Sequence, residues 1–169
     1  PDTYEFFVDE DPTHALSRLL DNFNTKMSDE LMQKVEASGY SLNQILTIAS
    51  LIEKETDGTD RENIASVIYN RLNAGMPLGI DASILYAYPD HEGAPTADML
   101  ADPSPYNTRL NTGLPPTPIA NPGIASINAA LYPESTGYYY YALDTATGQH
   151  RFFTNADEFN AFVATQNYE

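Results

Sequence analysis

Two glutamates, Glu53 and Glu55, stand at the end of a predicted helix in which almost every residue from 42 to 52 outside one narrow polar stripe is apolar. A carboxyl group among apolar side chains keeps its proton to a higher pH than one in water, because burial disfavours the charged form. An enzyme that breaks glycosidic bonds needs such a protonated carboxylic acid near neutral pH. The pattern therefore predicts that one of the two glutamates acts as a general acid.

The helical repeat does not decide which of the two glutamates has this role. Residues follow one another at about 100° around a helix, so Glu53 and Glu55 fall on opposite sides of Lys54, and both adjoin apolar positions. A glutamate at a helix end is also commonly a surface residue that pairs with a neighbouring base. Both glutamates are candidates on the pattern alone.

A second set of candidate residues lies in the proline-rich segment 104–123. Prolines fix the backbone around Tyr106, Asn107 and Asn121, and amide and phenol groups on a rigid loop suit sugar hydroxyls, which need both donors and acceptors. Local roles are the commoner use of such residues: Asn107 could close a turn, and Asn121 could cap the following helix. Asp81 is a further candidate, with a helix start as its alternative role.

The hydrophobic pattern indicates one mainly helical α+β domain with a small β-hairpin. Ser41 with Gln44 forms the sequence signature of a capping box, which predicts the start of the helix that leads to the two glutamates. The hairpin is predicted from strands at 138–144 and 149–154, separated by Thr-Ala-Thr-Gly. Other predicted helices start near Thr13, Asp29, Thr59, Ala97, Asn121 and Asn155.

Exposure is predicted for two of these elements. Strand side chains alternate between two faces, so half of the tyrosine run at 138–141 is expected to be core, and the other half could face a sugar. His150, on the second strand of the hairpin, is expected to be exposed. The polar positions of the helix before the glutamates predict one narrow solvent-exposed stripe: Asn43, Thr47, Ser50 and Lys54.

Composition excludes several classes of function. The 169 residues include 24 acidic and 8 basic side chains, a net charge of −16, which argues against nucleic acid and anionic membrane surfaces as partners. The sequence has no cysteine, which excludes disulfides and thiolate chemistry. Its three histidines lack metal-ligand spacing, and with only three lysines a Schiff-base enzyme is disfavoured. No run of about 20 apolar residues is present.

Six blocks occur along the chain: PDTY (1–4), IASLIEKET (48–56), ASVIYNRL (65–72), YNT (106–108), GLPP (113–116) and IANPG (119–123). In content and in order, these blocks resemble the endolytic murein transglycosylase family, called MltG or YceG-like. The resemblance extends over nearly the whole chain, and several blocks in register are more specific than any one of them.

The resemblance implies an α+β fold with a lysozyme-like catalytic core. It also implies that Glu55, the glutamate before Thr56, is the catalytic acid and base, and that Glu53 supports it as a substrate-binding candidate. The blocks that correspond to the sugar-binding cleft contribute further substrate-binding candidates: Tyr106, Asn107 and Asn121. Asp81 is also a substrate-binding candidate, but its segment, Leu-Gly-Ile-Asp-Ala at 78–82, departs from the Leu-Gln-Thr-Asp-Pro that is common in the family and lacks two of its polar groups.

The activity implied by the resemblance is cleavage of MurNAc–GlcNAc bonds within peptidoglycan strands, leaving 1,6-anhydroMurNAc ends, with no cofactor and no metal. Glycan strands are the expected partner, and cell-wall synthesis proteins are candidate partners. Residues 1–169 are expected to be the catalytic domain of a longer protein whose membrane anchor and LysM-like segment precede Pro1. The full protein is expected at the extracytoplasmic face of the bacterial cell membrane.

Three alternatives are open at this point. A hydrolysing muramidase would need a carboxylate opposite Glu55, for which Asp81 is the nearest candidate. A non-catalytic peptidoglycan-binding module would tolerate the change Glu55→Gln. A pyridoxal-phosphate lyase is disfavoured, because Lys54 is predicted to lie on the exposed stripe.

Overall fold

Helices account for most of the fold in this computed structural model, which describes residues 1–56 and 58–168. A two-stranded antiparallel sheet completes it, so the α+β expectation is confirmed. The elements are α1 (Pro12–Lys26), α2 (Asp29–Ser38), α3 (Leu42–Glu55), α4 (Arg61–Asn73), α5 (Asp81–Leu85), α6 (Ala97–Ala101), α7 (Ile124–Leu131), β1 (Tyr140–Asp144), β2 (Gln149–Phe153) and α8 (Ala156–Val163). In these described residues, no helix has the length and apolar content needed to cross a lipid bilayer.

Helix α3 is the centre of the core, and α4 and α7 pack against it. A helix that is apolar on nearly all sides must be covered on all sides, and Ile45, Ile48 and Leu51 are fully buried. The predicted capping box is confirmed: the Ser41 hydroxyl accepts from the Gln44 amide nitrogen, and the Gln44 side chain accepts from the Ser41 amide nitrogen. The helix thus has a fixed start and places its last residue, a glutamate, at the edge of the core.

The predicted exposed stripe on α3 is wrong for two of its four members. Thr47 and Ser50 are 2% and 0% exposed, because other elements cover this side of α3. Their hydroxyls are satisfied by donating to backbone carbonyls one turn earlier in the same helix. The Ser50 hydroxyl also accepts from the Ile119 amide nitrogen at 3.0 Å. That bond fastens the proline-rich segment to α3 next to its final turn.

Two helix starts also differ from their predictions. The cap of α1 is Asp11, whose carboxylate accepts from the Thr13 amide nitrogen, so Thr13 itself lies inside the helix. Helix α4 was predicted to start with a capping box at Thr59 but starts after Asp60, without a side-chain cap. The Asp60 carboxylate instead bonds with Thr56 and His150.

The β-hairpin is held against α4 through the backbone that leads into it. The Asn70 amide donates to the carbonyls of residues 136 and 138, and the Arg71 guanidinium donates to the Tyr139 carbonyl at 2.6 Å. Alternation along β1 is confirmed: Tyr140 stacks on Phe159 of α8, whereas Tyr141 pairs with Phe152 and faces the helical core.

Helix α5 is placed beside α3 by a small hydroxyl network. The Thr108 hydroxyl accepts from the Ile80 amide nitrogen at 2.9 Å and bonds with the Ser83 hydroxyl at 2.9 Å. Gly79 has φ of +66°, a conformation that glycine adopts at little cost, and its amide nitrogen donates to the Thr108 carbonyl. This turn directs α5 toward the last turn of α3.

Candidate active site

Glu55, the last residue of α3, lies where two cavities meet. One cavity, of about 500 Å³, is mostly apolar and is formed by α5 and the proline-rich segment. The other, of about 770 Å³, is more polar and lies between the start of α4 and the hairpin. A chain-like ligand that occupied both cavities would pass the Glu55 carboxyl, so we call the two together the groove.

The Glu55 carboxyl is held by a tyrosine from the hairpin. The Tyr141 hydroxyl donates to Glu55 Oε2 at 2.7 Å. Burial, together with the nearby Glu55 carboxyl, raises the pKa of Tyr141 well above its usual value of 10, so this phenol stays a donor throughout the neutral range. With Oε2 accepting this bond, Oε1 is the oxygen that can carry a proton toward a ligand.

Burial raises the pKa of Glu55 above its ordinary value, for the reason anticipated from the apolar sequence around it. Three groups oppose this shift in part: Tyr141 through its hydrogen bond, and His150 and Arg109 through their electrostatic interaction with the carboxyl. The negative charge of Asp81 adds to it. A carboxyl group with a raised pKa can donate a proton at a pH where an ordinary glutamate is ionised.

A second hydrogen-bonded group lines the polar cavity. His150 Nδ1 lies 2.7 Å from Asp60 Oδ2, and the Thr56 hydroxyl donates to Asp60 Oδ1 at 2.7 Å. Burial acts to raise the pKa of Asp60, but the bonds from Thr56 and His150 outweigh it, and the net shift is downward. The predicted exposure of His150 is wrong, since its side chain is 12% exposed, with its ring edge against Tyr141.

The structure shows different surroundings for Glu53 and Glu55, which the helical repeat alone could not distinguish. The Glu53 carboxylate accepts from the Gly123 amide nitrogen at 3.1 Å and from the Ser126 hydroxyl at 2.6 Å. It therefore joins α3 to the start of α7, while Glu55 faces the groove. Because Gly123 is the N-cap of α7, the predicted capping role of Asn121 is wrong.

Asn107 lies in the interior and not in the groove. It is 0% exposed, and its amide donates to the carbonyls of Leu100 and Asp102 at 3.0 and 2.8 Å. Its side-chain oxygen accepts from the Arg109 amide nitrogen. The local role considered for Asn107 is the one observed, and its predicted sugar contact does not agree with this burial.

The other three predicted cleft residues lie in different places. Tyr106 packs its ring on Tyr86, which lines the apolar cavity. Asp81 begins α5 and pairs with Arg109 at 2.7 Å, close enough to Glu55 to affect its pKa. Asn121 is exposed and lines a separate apolar cavity of about 500 Å³ beside α1.

Sequence reasoning missed the residues that complete the groove from the hairpin and from the loop after α5. The alternation of β1 did indicate that part of the tyrosine run faces away from solvent, but not that Tyr141 meets Glu55. Nothing local indicated the pairing of His150 with Asp60. Among residues 1–56 and 58–168, no group of three or more histidine, aspartate or glutamate side chains is arranged to hold a metal ion.

Comparison with known proteins agrees with this geometry. Residues 1–165 match the YceG-like family. Endolytic murein transglycosylases of Bacillus subtilis and Streptococcus pneumoniae are 38% and 32% identical over 95% and 89% of this chain, which covers 44% and 29% of their lengths. A crystal structure of a YceG-like protein from Listeria monocytogenes superposes with a TM-score of 0.88, at 38% identity, over 95% of this chain and 53% of that one. The chain thus spans less than half the length of these curated relatives.

Proposed function

The chain belongs to the YceG-like family, and we propose that it cuts the glycan strands of peptidoglycan as an endolytic lytic transglycosylase with Glu55 as acid and base. The observation that carries this proposal is the position of Glu55 at the junction of two cavities, with the partly buried hydroxyl of Tyr141 bonded to one carboxyl oxygen. A carboxyl group in the middle of a groove suits cleavage inside a strand. The names of the relatives support the same substrate.

In the proposed reaction, Glu55 first protonates the glycosidic oxygen between MurNAc and GlcNAc, and the bond from that oxygen to C1 breaks. The resulting carboxylate takes the proton of the C6 hydroxyl of the same MurNAc, and the C6 oxygen bonds to C1. The product is a 1,6-anhydroMurNAc end, and no water is consumed. One residue serves as acid and then as base, so its proton is restored at the end of each cycle.

Tyr141 has two functions in this scheme. Its hydrogen bond to Oε2 directs the proton of Glu55 to Oε1, and the same bond stabilises the carboxylate after the proton has left. Asn107 is buried and Asn121 lines a different cavity, so we do not assign to them the dipoles that the sequence suggested for stabilising positive charge on the sugar. Electrostatic effects on Glu55 come instead from His150, Asp81 and Arg109.

Hydrolysis is a second candidate reaction, because Asp81 is a second carboxylate near Glu55, close enough for its charge to raise the pKa of Glu55. A hydrolase would use that carboxylate to activate water or to stabilise the sugar cation from the opposite side. Both bonds that Asp81 receives come from Arg109, so it would have to act while ion-paired. The products separate the two reactions, since hydrolysis leaves reducing ends.

The test is mass spectrometry of purified glycan strands digested by the wild type, by Glu55→Gln and by Glu53→Gln. The second variant is a matched control, since it makes the same change two residues away in a side chain that bonds to α7. We expect anhydro ends from the wild type and from Glu53→Gln, and a loss of roughly 10²–10⁴-fold for Glu55→Gln. Equal cleavage by Glu55→Gln would refute the assignment, as would binding of glycan without cleavage by the wild type.

We further propose that the full-length protein works at the extracytoplasmic face of the bacterial cell membrane, where its substrate lies. Cell-wall synthesis proteins are its candidate partners there. Fractionation of cells that produce the full-length protein, with detection in the membrane fraction and accessibility to protease added outside the cytoplasm, tests this location. Protection from external protease in cells with permeabilised walls would contradict it.

A further inference from the structure

Tyr86 is an exposed aromatic residue in the wall of the apolar cavity next to Glu55. It directly follows α5, and 46% of its surface is exposed. Single exposed aromatic residues are common on protein surfaces. Tyr86 differs from such residues because it shares a cavity with the proposed catalytic carboxyl.

The Tyr86 ring is also supported from within the protein. The Tyr106 ring lies against it, with centroids 5.0 Å apart and planes tilted by 50°. Tyr106 is in turn fixed by a 2.8 Å hydrogen bond between its hydroxyl and the Thr117 hydroxyl, and it packs on the buried core. An exposed ring that is backed in this way keeps its orientation, so it loses little conformational freedom when a ligand covers it.

The remaining walls of this cavity match an apolar ligand face. Lys54 is a polar wall residue besides Glu55, and apolar residues line the cavity together with Tyr86: Ala82, Leu85, Pro89 and Ile119. Its volume of about 500 Å³ is within the range of small-molecule sites. A pyranose ring of GlcNAc or MurNAc offers such a face, because its axial C–H bonds point above and below the ring while its polar substituents are equatorial and point outward. The polar cavity beyond Glu55, with its histidine and carboxylate, has the opposite character.

We propose that Tyr86 is the stacking platform of a sugar subsite on the α5 side of Glu55, with Tyr106 as its support. The ligand is a pyranose unit of the glycan strand, immediately next to the bond that is cut. This inference rests on the proposed function and adds to it a binding residue and the side of the groove on which the sugar stacks. Tyr106 acts through Tyr86 as a positioning residue.

The protein has no tryptophan, which makes a direct binding measurement possible. In the Glu55→Gln background, which should bind glycan without cutting it, Tyr86→Trp places a single indole in the subsite. We expect soluble peptidoglycan oligosaccharides to change its emission wavelength and intensity. The matched control is Tyr132→Trp, at an exposed tyrosine (42%) that lies over Lys34 and outside the groove, where the emission should not change.

Calorimetric titration of the same oligosaccharides gives the size of the effect. We expect Tyr86→Ala in the Glu55→Gln background to bind about tenfold more weakly, the range of an aromatic contact beyond its buried area. Tyr86→Phe should bind within about twofold of the parent, since stacking needs the ring and not the hydroxyl. Thermal unfolding of each variant confirms that it is folded.

The outcomes separate this inference from the function on which it rests. If the Glu55→Gln protein binds glycan and Tyr86→Ala binds it equally well, the platform is refuted and the proposed function stands. If the Glu55→Gln protein and the wild type bind no glycan fragment, both are refuted. An unchanged tryptophan signal at position 86 upon saturating binding would also overturn the platform.

Discussion

The hydrogen bond from Tyr141 to Glu55 makes a sharp kinetic prediction for the variant Tyr141→Phe. The substitution keeps the ring and its packing and removes only the donor that contacts Oε2 at 2.7 Å. That donor favours the ionised form of Glu55 and so lowers its pKa, against the larger effect of burial. Without it, the pKa of Glu55 rises further, and Glu55 becomes a weaker acid.

The size of the effect follows from the strength of the bond. A hydrogen bond to a charged group contributes about 1.5–3 kcal/mol, and roughly half of the negative charge on Glu55 has developed when the proton is in flight. The variant therefore loses about 1 kcal/mol of transition-state stabilisation, which is roughly a fivefold lower kcat on the low-pH plateau. The loss should shrink at higher pH, where the variant keeps more of its Glu55 protonated.

The assay is the release of anhydro-ended products from glycan strands, measured as kcat over a pH series. Because the acid must be protonated, activity falls as the pH rises through the pKa of Glu55, and this limb should move to higher pH in Tyr141→Phe. The matched control is Tyr140→Phe, one residue away on the opposite face of β1, where the ring stacks on Phe159. A folded Tyr141→Phe variant whose limb stays in place or moves to lower pH would refute the reasoning.

Two further predictions concern stability. Burial raises the pKa of Glu55 above its ordinary 4.5, so the stability contributed by its protonated form is complete below that pH and is lost as the pH rises through the folded-state pKa. The melting temperature of Glu55→Gln should therefore rise relative to that of the wild type between pH 4 and pH 8, by about 2–4 °C for each kcal/mol that the wild type loses. A difference that shrinks as the pH rises would contradict this. Asn107→Ala should lower the free energy of unfolding by about 2–4 kcal/mol, because two buried carbonyls lose their donor, whereas the exposed Asn121→Ala should change it by no more than about 0.5 kcal/mol. Urea unfolding measures the stability of the two asparagine variants. An Asn107→Ala protein with wild-type stability and a raised KM would contradict the structural role and support the sugar contact predicted for Asn107.

The elements that the sequence predicted correctly are those specified by neighbouring residues. The capping box of Ser41 and Gln44 sets the start of α3, and the cap of Asn155 on the Glu158 amide nitrogen sets that of α8. The predicted strands agree with β1 and β2 to within two residues at each end. These signals act over two to four residues, so the local sequence contains all the partners.

Apart from the start of α1, which shifts locally from Thr13 to Asp11, the predictions that were wrong concern side chains whose surroundings come from elements distant in sequence. Thr47 and Ser50 are polar and regularly spaced, which predicts exposure, yet α7, the proline-rich segment and the hairpin cover α3 from sides that the helix pattern cannot show. In place of the predicted box at Thr59, α4 starts after Asp60, whose carboxylate bonds with a histidine 90 residues away. The hydroxyls of Thr47 and Ser50 are satisfied inside their own helix, so their polarity did not require exposure to solvent.

The sequence by itself determined that a carboxyl group would follow an apolar helix, and its ordered blocks indicated the family. Only the tertiary structure decided that Glu55 faces the groove while Glu53 joins two helices, and that the partner of Glu55 is a tyrosine 86 residues further along the chain. The physical reason is that helical periodicity specifies the direction of a side chain relative to its own axis. What that side chain meets there depends on how the other elements pack around the helix.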